Sequence, residues 1–298
     1  MSEHQQIIAA LTLSRRPFVG ASLFRRLVSQ YGSPMDALEA LPEVLQREPF
    51  SHAQSRQKAE TGEGLGRAEE FLQRGGVVLY FGGPGYPEAL NSLGEPPPVL
   101  FVRGSLAALR RDLLAIVGTR RPDEEGQRAT EDCAIAATRA GFGVVSGGAR
   151  GVDSAAHLAT LAAGAVTVAV LGCGVDVAYP PENKTLFEAI LVQGAIASEI
   201  FPGTQPNKGF FLTRNRIIAG LAKATLVTRA GFRSGALTTA TWARRLERPV
   251  GVLPTNEQDP LGEASRILQK RGARLLAGSS EVSSWCVGLQ RGVEFSLR

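Results

Sequence analysis

Residues 144–157, with the sequence VVSGGARGVDSAAH, decide the fold of this chain. Val144 and Val145 predict a buried strand, and the small residues that lead to His157 predict a helix. The glycines between them predict a tight turn that presents backbone N–H groups at the N-terminus of the helix, where an anion is favoured. The stretch is therefore interpreted as a strand, a turn and a helix, with a phosphate-bearing ligand at the turn.

The same alternation of strands and helices extends through most of the chain. Strands are predicted at 77–81 and 99–102, and then in the segments LLAIVG, FGVVSG, VTVAVLG, GAIASE, ATLVTR and PVGVLP, which alternate with helical stretches. Strands that are apolar on both faces indicate a parallel sheet with helices on each side, and such sheets bind ligands at the carboxyl ends of their strands. The predicted fold class is α/β, with a doubly wound, mostly parallel sheet.

Changes in this pattern divide the chain into three segments. Helical spacing from Ile7 to about Leu45, followed by polar residues with several glycines, predicts a small all-α domain and a linker within residues 1–65. The sheet domain is predicted at 66–278. The last segment, 279–298, is too short for another domain and is interpreted as a tail or an extra edge element.

The composition is that of a globular protein with a basic surface. Hydrophobic residues make up 44% and charged residues 20% of the 298 residues. The net charge of +5, carried mostly by arginine, favours phosphate-bearing partners, although proteins that bind no nucleic acid often carry such a charge. No segment has the ~18 apolar residues of a membrane span or the pattern of a signal peptide, so no membrane contact and a cytoplasmic location are expected. The scattered Cys133, Cys173 and Cys286 predict small buried residues rather than disulfides or a zinc site.

Two strand ends carry candidate phosphate ligands. After the strand in IVGTRRP, Gly118 allows a close approach of the ligand, Thr119 offers a hydroxyl and Arg120 can donate two hydrogen bonds to a phosphate. The alternative is a tight turn whose arginines are only solvated. In SGGARGVD, Arg150 adds a positive charge and Asp153 is placed to cap or orient the following helix.

The glycines of this second loop resemble a dinucleotide-binding fingerprint only loosely. Their order is G-G-x-x-G, and no acidic residue ends the next strand to hold a ribose. No nicotinamide cofactor is therefore expected. His157 has no His, Cys or carboxylate partners around it in sequence, so a packed helix histidine is favoured over a catalytic one.

A basic and aromatic segment begins at Lys208. It places Phe210, Phe211, Arg214, Asn215 and Arg216 within nine residues. Such interleaving suits single-stranded nucleic acid, because cations neutralise the backbone while bases stack on rings. The alternative is that the phenylalanines anchor a loop in the core and the arginines cap a helix.

Read in order, these motifs resemble those of the DNA-processing protein A family, also called Smf. The shared motifs cover nearly the whole chain: YPEALNSLGEPPPVLFVRG, IVGTRRP, VVSGGARGVDSAAH, AVLGCGVDVAYPPEN, FLTRNRIIAGL, RSGALTTA and RPVGVLP. The N-terminal helices resemble the sterile-alpha-motif-like (SAM-like) module of many members, most clearly in LFRRLVSQYGSPMDALEA.

The resemblance implies an extended Rossmann domain that binds and protects incoming single-stranded DNA, dimerises, and helps load RecA recombinase in natural transformation. The K-G-x-F pattern of the family makes Lys208 a phosphate contact and Phe211 a stacking platform, and Asn215, in the RNR motif, follows as a polar contact. The phosphate role at the glycine-rich loops falls on Gly118, Thr119, Arg120, Ser146, Gly147 and Gly148. Arg150 and Arg214 complete the predicted DNA-binding set.

The chain departs from the family pattern in three places. Many members read V-E-A where this chain has Thr228, Arg229 and Ala230, so that an acidic position has become basic. This change could strengthen a phosphate contact or mark a divergent branch. Pro254 and Thr255 stand at the usual P-G, and no C-terminal winged helix is expected.

Two other functions share the glycine-rich loops. Phosphoribohydrolases that cleave nucleoside monophosphates also need a motif that ends in a glutamate, and here Thr238 and Thr239 stand where that carboxylate would fall. A sensor of a small phosphorylated signal would not need the basic and aromatic segment. The sequence therefore favours single-stranded DNA binding, with no catalytic residue, metal or cofactor.

Overall fold

The structure is a computed structural model that describes residues 2–47, 61–232 and 234–292. Its N-terminal part consists of the helices α1 (Glu3–Arg15), α2 (Ala21–Tyr31), α3 (Pro34–Arg47) and α4 (Thr61–Gln73). Ser2 begins α1 in a capping box with Gln5, which satisfies two N–H groups that the helix leaves free. The predicted N-terminal all-α region is confirmed over its described residues.

Nine strands within the described ranges form one sheet. They are β1 (Val77–Tyr80), β2 (Val99–Gly104), β3 (Leu113–Val117), β4 (Gly143–Ser146), β5 (Thr167–Val170), β6 (Ala195–Ser198), β7 (Ala224–Val227), β8 (Val250–Val252) and β9 (Arg274–Leu275). Their order across the sheet is β1-β2-β6-β5-β4-β3-β7-β8-β9. The pairs from β6 to β9 are parallel, whereas β2 is antiparallel to both β1 and β6.

Helices cover both faces of this sheet. They are α5 (Glu124–Arg139), α6 (Val152–Ala162), α7 (Lys184–Gln193), α8 (Lys208–Leu221), α9 (Gly235–Arg245), α10 (Glu263–Lys270) and α11 (Ser279–Gln290). Alternate residues along β5 and the position just after it show the arrangement, because Val168 and Val170 enter one apolar cluster and Ala169 and Leu171 enter another on the opposite face. The predicted fold class, an extended Rossmann-like, doubly wound and mostly parallel sheet, is confirmed.

The N-terminal helices share a core with one half of the sheet. Leu11 and Phe24 belong to the same buried cluster as Phe101 of β2, and the Phe71 ring of α4 meets the Phe101 ring edge to face at 5.9 Å. The predicted domain boundary at residue 65 falls inside α4, where the glycines of a predicted linker lie in a helix. Packing of Phe71 against β2 outweighs the low helix propensity of those glycines.

The described part of the segment 279–298, interpreted from the sequence as a tail or an extra edge element, is mostly helical. Residues 279–290 form α11, which packs against α5, and Trp285 is fully buried. Burial of that ring holds the helix on the sheet domain. Cys133, Cys173 and Cys286 are buried free thiols, as predicted. None of the described helices combines the length and the apolar character that a bilayer crossing needs.

Candidate functional site

A cleft of about 670 Å³ lies at the carboxyl ends of β3 and β7, between the loop after β3, the first turns of α8 and the start of α9. A smaller recess of about 190 Å³ adjoins it beside the glycine-rich loop after β4. Seven of the predicted residues line the cleft: Gly118, Thr119, Arg120, Lys208, Phe211, Arg214 and Asn215. Arg120 and Phe211 also line the recess, together with Gly147 and Arg150.

The ring of Phe211 forms the apolar floor between the cleft and the recess. Helix α8 begins at Lys208, because Asn207 accepts a hydrogen bond from the Gly209 N–H at 2.8 Å and caps the helix. The ring lies directly on the backbone of Gly172, where a Cβ would come within 2.7 Å of it. The ring of Tyr179 lies beside it, with 5.5 Å between the ring centroids. The result is a half-buried aromatic platform.

Exposed cations surround this platform. The Arg120 guanidinium lies 5.8 Å from the Phe211 centroid, and the Arg121 and Lys208 side chains are exposed. Arg150 is also exposed, but it pairs with Glu182. Asp153 is the one carboxylate among the described residues that line the cleft and the recess. The surface therefore attracts anions, and its charge comes from side chains rather than from backbone.

Arg214 lies beneath the platform rather than on it. Its side chain is 6% exposed, and Nη1 donates to the carbonyl oxygens of Gly147, at 2.8 Å, and of Val170. A Cβ at Gly147 would overlap this guanidinium, so that position requires glycine. Burial lowers the pKa of Arg214 to about 10, while nearby Asp153 acts in the opposite direction. The structure thus gives Arg214 a supporting position, joining α8 to the ends of β4 and β5.

The Asp153 carboxylate is hydrogen-bonded to the backbone of the glycine-rich loop. Its Oδ2 accepts hydrogen bonds from the N–H groups of Gly147, at 3.2 Å, and Ala149, at 3.3 Å. The carboxyl is buried, and this burial raises its pKa, whereas Arg214 and the two N–H groups lower it. Two N–H groups of the loop, one of them from the predicted phosphate contact Gly147, are therefore already paired.

The predicted phosphate contact is corrected for Ser146. This residue is fully buried, and its hydroxyl donates to the Ile116 carbonyl at 2.6 Å, so it joins β4 to β3 instead of facing the cleft. Gly148 is also buried, with φ of 64°, and its carbonyl accepts a hydrogen bond from Asn183 at 2.9 Å. These residues shape the loop from inside, because Ser146 ends, and Gly148 closely follows, a strand that is buried on both faces.

His157 is a packed residue, as the sequence favoured. It is fully buried on α6, and its Nδ1 lies 2.7 Å from the Thr167 hydroxyl. Burial and the positive charge of Arg214 lower its pKa to about 3, so the ring is neutral at physiological pH. Within the described ranges, no three His, Cys, Asp or Glu side chains are grouped as a metal site requires.

Arg229 links two loops near the cleft through ion pairs and does not line the cleft. Its guanidinium bonds to Asp123, at the start of α5, and to Asp259, in the loop after β8. Its backbone carbonyl accepts a hydrogen bond from the Thr119 N–H at 2.6 Å. The basic residue at this position thus pairs with two carboxylates of the chain itself, which leaves the phosphate interpretation without support.

Replacing Arg229 with methionine should lower the free energy of unfolding by about 1–3 kcal/mol, since Asp259 would lose its partner in a mostly buried place. The hydrogen bond from Arg229 holds the pKa of Asp123 below its usual range. This stabilisation is complete above about pH 4 and is lost as the pH falls through the pKa of the folded state. The variant should therefore lose less stability on acidification than the parent.

Urea unfolding at several pH values measures both effects of the Arg229 replacement. Arg128→Met is the control, because Arg128 forms an exposed pair with Glu124 and should change stability by no more than about 0.5 kcal/mol. Equal losses in the two variants would contradict the role of Arg229 in linking the two loops.

Sequence reasoning missed two residues of the site. Tyr179 is 38% exposed and extends the platform, and Arg121 lines the recess beside Arg120. An aromatic residue before two prolines in a strand-end loop was the available signal for Tyr179, because such a loop holds the ring near the carboxyl edge.

Two family models match the chain. The one described as DNA recombination-mediator protein A matches residues 77–286, and the DprA-like N-terminal HHH domain matches residues 4–61. Protein Smf of Synechocystis sp. is 36% identical over 272 residues, which cover 89% of this chain and 68% of that protein. DNA processing protein DprA of Streptococcus pneumoniae is 38% identical over 197 residues, 66% of this chain and 70% of that protein.

Solved structures are similar as well. The X-ray structure of DNA processing protein A from Streptococcus pneumoniae aligns with a TM-score of 0.75 at 29% identity, covering 95% of this chain and 98% of that one. DNA processing protein A from Helicobacter pylori, solved for its single-stranded DNA binding mode, aligns with a TM-score of 0.65 at 28% identity and covers 74% of this chain and 97% of that one. The match at 77–286 contains every residue that lines the cleft and the recess.

Proposed function

Since the chain belongs to the DNA recombination-mediator protein A family, as its motifs predicted, we propose that it is a DNA-processing protein that binds single-stranded DNA in the cleft. One observation carries the proposal: the aromatic platform of Phe211 and Tyr179 is flanked by the exposed cations Arg120 and Lys208. Relatives named for DNA processing, and the Helicobacter pylori protein solved for its single-stranded DNA binding mode, support it.

The chemistry of binding follows from these side chains. Arg120 and Lys208 neutralise backbone phosphates, and one base stacks on Phe211 with Tyr179 at its edge. Thr119 and Asn215 are two polar residues at the cleft wall, and Asn215 already donates to the Gly235 carbonyl at 3.1 Å. A duplex keeps its bases stacked inside, so the platform selects single strands.

Binding without catalysis is part of the proposal. Thr238 and Thr239 carry no carboxylate, and the Asp153 carboxylate is buried and held by two backbone N–H groups. Cleavage of a glycosidic bond needs a placed carboxyl group that reaches the substrate. Incubation with nucleoside monophosphates should release no free base, and release that disappears in an Asp153→Asn variant would establish the hydrolase instead.

A titration with labelled single- and double-stranded oligonucleotides tests the main proposal. The single strand should bind more tightly, and its affinity should fall steeply as salt rises, because phosphate contacts release counterions. Equal binding of the two, or no binding at low salt, would refute the proposal.

Lys208→Ala and Arg120→Ala should each weaken binding for all sequences and reduce the slope of log K against log salt by about one. Both cations are exposed at the cleft, so neither substitution should affect folding. Arg139→Ala removes an exposed arginine near the end of α5, outside the cleft, and serves as the matched control. If Lys208→Ala and Arg120→Ala both keep the slope of the parent, as the control does, the phosphate contacts are assigned to the wrong residues.

The finer part of the proposal is that the protein protects incoming single strands, helps load RecA recombinase in natural transformation, and acts as a homodimer. The family description, a recombination mediator, supports this role. RecA filaments should form faster on single-stranded DNA when the protein is present, and light scattering should give twice the mass of one chain. An unchanged rate of filament formation would contradict the loading role, and a single-chain mass would contradict the dimer.

A further inference from the structure

Phe232 is an aromatic side chain that the fold leaves in water. It lies in the loop between β7 and α9, and 57% of its surface is exposed. Among the large hydrophobic residues exposed within the described ranges, Tyr179 of the platform is the other aromatic one. Phe232 therefore presents a flat apolar surface that no described part of the core uses.

The backbone on both sides of Phe232 is firmly held. Before it, the Ala230 N–H donates to the Leu261 carbonyl at 2.7 Å, and the Ala230 carbonyl accepts from the Ala264 N–H at 3.0 Å. After it, the Ser234 N–H donates to the Gly231 carbonyl at 3.1 Å, and the Ser234 hydroxyl caps α9. Hydrogen-bonded backbone thus precedes the exposed ring at Ala230 and follows it at Ser234, so a ligand that contacts the ring orders little of that backbone.

The end of this loop forms one lip of the DNA cleft. Ser234 and Gly235, just after Phe232, line the cleft, and the Gly235 carbonyl accepts the hydrogen bond from Asn215 of α8. Asn215 and Phe211 are four residues apart on α8 and therefore share one face of that helix. Phe232 is not itself among the residues that line the cleft, but it lies two residues before Ser234, and its Cα is therefore within about 7 Å of that of a cleft residue.

We propose that Phe232 is a second stacking platform, which holds a base of the same strand beyond the base on Phe211. The inference rests on the proposed function and extends it from one base to a path along the strand. A nucleobase is the occupant that fits, since cations for the phosphates already stand in the adjoining cleft and stacking on a ring needs no particular base.

Oligothymidylates of increasing length, titrated onto the full chain, test this path. Phe232→Ala should bind the shortest oligonucleotides as the parent does, and it should lose about tenfold in affinity once the strand is long enough to reach the lip. Phe232→Trp should restore the affinity for long strands. Leu158→Ala is the control, because Leu158 is 54% exposed on α6 and neither it nor any residue within four positions of it lines the cleft or the recess.

The outcomes separate this inference from the proposed function. If the parent binds no single-stranded DNA, both are refuted. If the parent binds and Phe232→Ala matches it at every length, only the second platform is refuted. A change of mass in light scattering of Phe232→Ala, with DNA affinity unchanged, would assign the ring to contact with a second copy and overturn the inference.

Discussion

Replacing Phe211 with alanine is expected to weaken single-stranded DNA binding by about 5-fold to 150-fold. A base stacked on an aromatic side chain contributes about 1–3 kcal/mol, and this ring separates the cleft from the recess. The loss should be similar for oligonucleotides of different sequence, because every base has a flat face. Fluorescence anisotropy at fixed salt measures it.

Phe210→Ala is the matched control for this prediction. Phe210 is the neighbouring phenylalanine in the first turn of α8 and is also half-buried, but it lines neither the cleft nor the recess. Its replacement should leave the affinity close to that of the parent, and Phe211→Tyr should retain most of the binding. Loss of binding in Phe210→Ala alone would move the platform to the other ring.

Replacing Arg214 with methionine is expected to lower the free energy of unfolding by about 3–5 kcal/mol. The change leaves the carbonyl oxygens of Gly147 and Val170 without their buried donor, and it removes the positive charge that faces the buried Asp153. Urea unfolding followed by circular dichroism measures the loss. Gly147 cannot fill the space that the removed guanidinium leaves, because it has no side chain.

Two further variants show whether Arg214 acts through this cluster. Arg150→Met removes an exposed arginine that pairs with Glu182 and should cost less than about 1 kcal/mol. Asp153→Asn combined with Arg214→Met should cost less than the sum of the two single changes, since the neutral amide no longer needs the cation. Additive losses would show that the two side chains stabilise the protein independently.

The regular part of the fold was readable from the sequence because its signals are local. Apolar runs such as Leu113–Val117 predict strands, and these strands are buried on both faces. The direction of β2 was not readable, since strand pairing depends on contacts between distant segments. The same holds for α11, where four serines and a glycine obscure the helical pattern and the burial of Trp285 against α5 stabilises the helix.

The location of the candidate site was predictable from the sequence, but which of its residues are buried was not. Strand ends in a parallel sheet meet at one edge, which brings Arg120, Lys208 and Phe211 together as the motifs suggested. Whether a polar residue faces the cleft or the core depends on tertiary packing. The side chains of Ser146 and Arg214 are buried and donate hydrogen bonds to backbone carbonyl groups. Local sequence carries no signal for that difference.

The carboxylate of Asp153 has a consequence for what competes with DNA. It accepts hydrogen bonds from the N–H groups of Gly147 and Ala149. A lone phosphate or a free nucleotide at that loop would therefore have to displace the Asp153 carboxylate, which belongs to the chain itself. Attraction then depends on side chains spread around the cleft, which a polymer contacts together and a single nucleotide does not. Under the proposed function, the protein would thus stay available for long strands even among abundant cellular nucleotides.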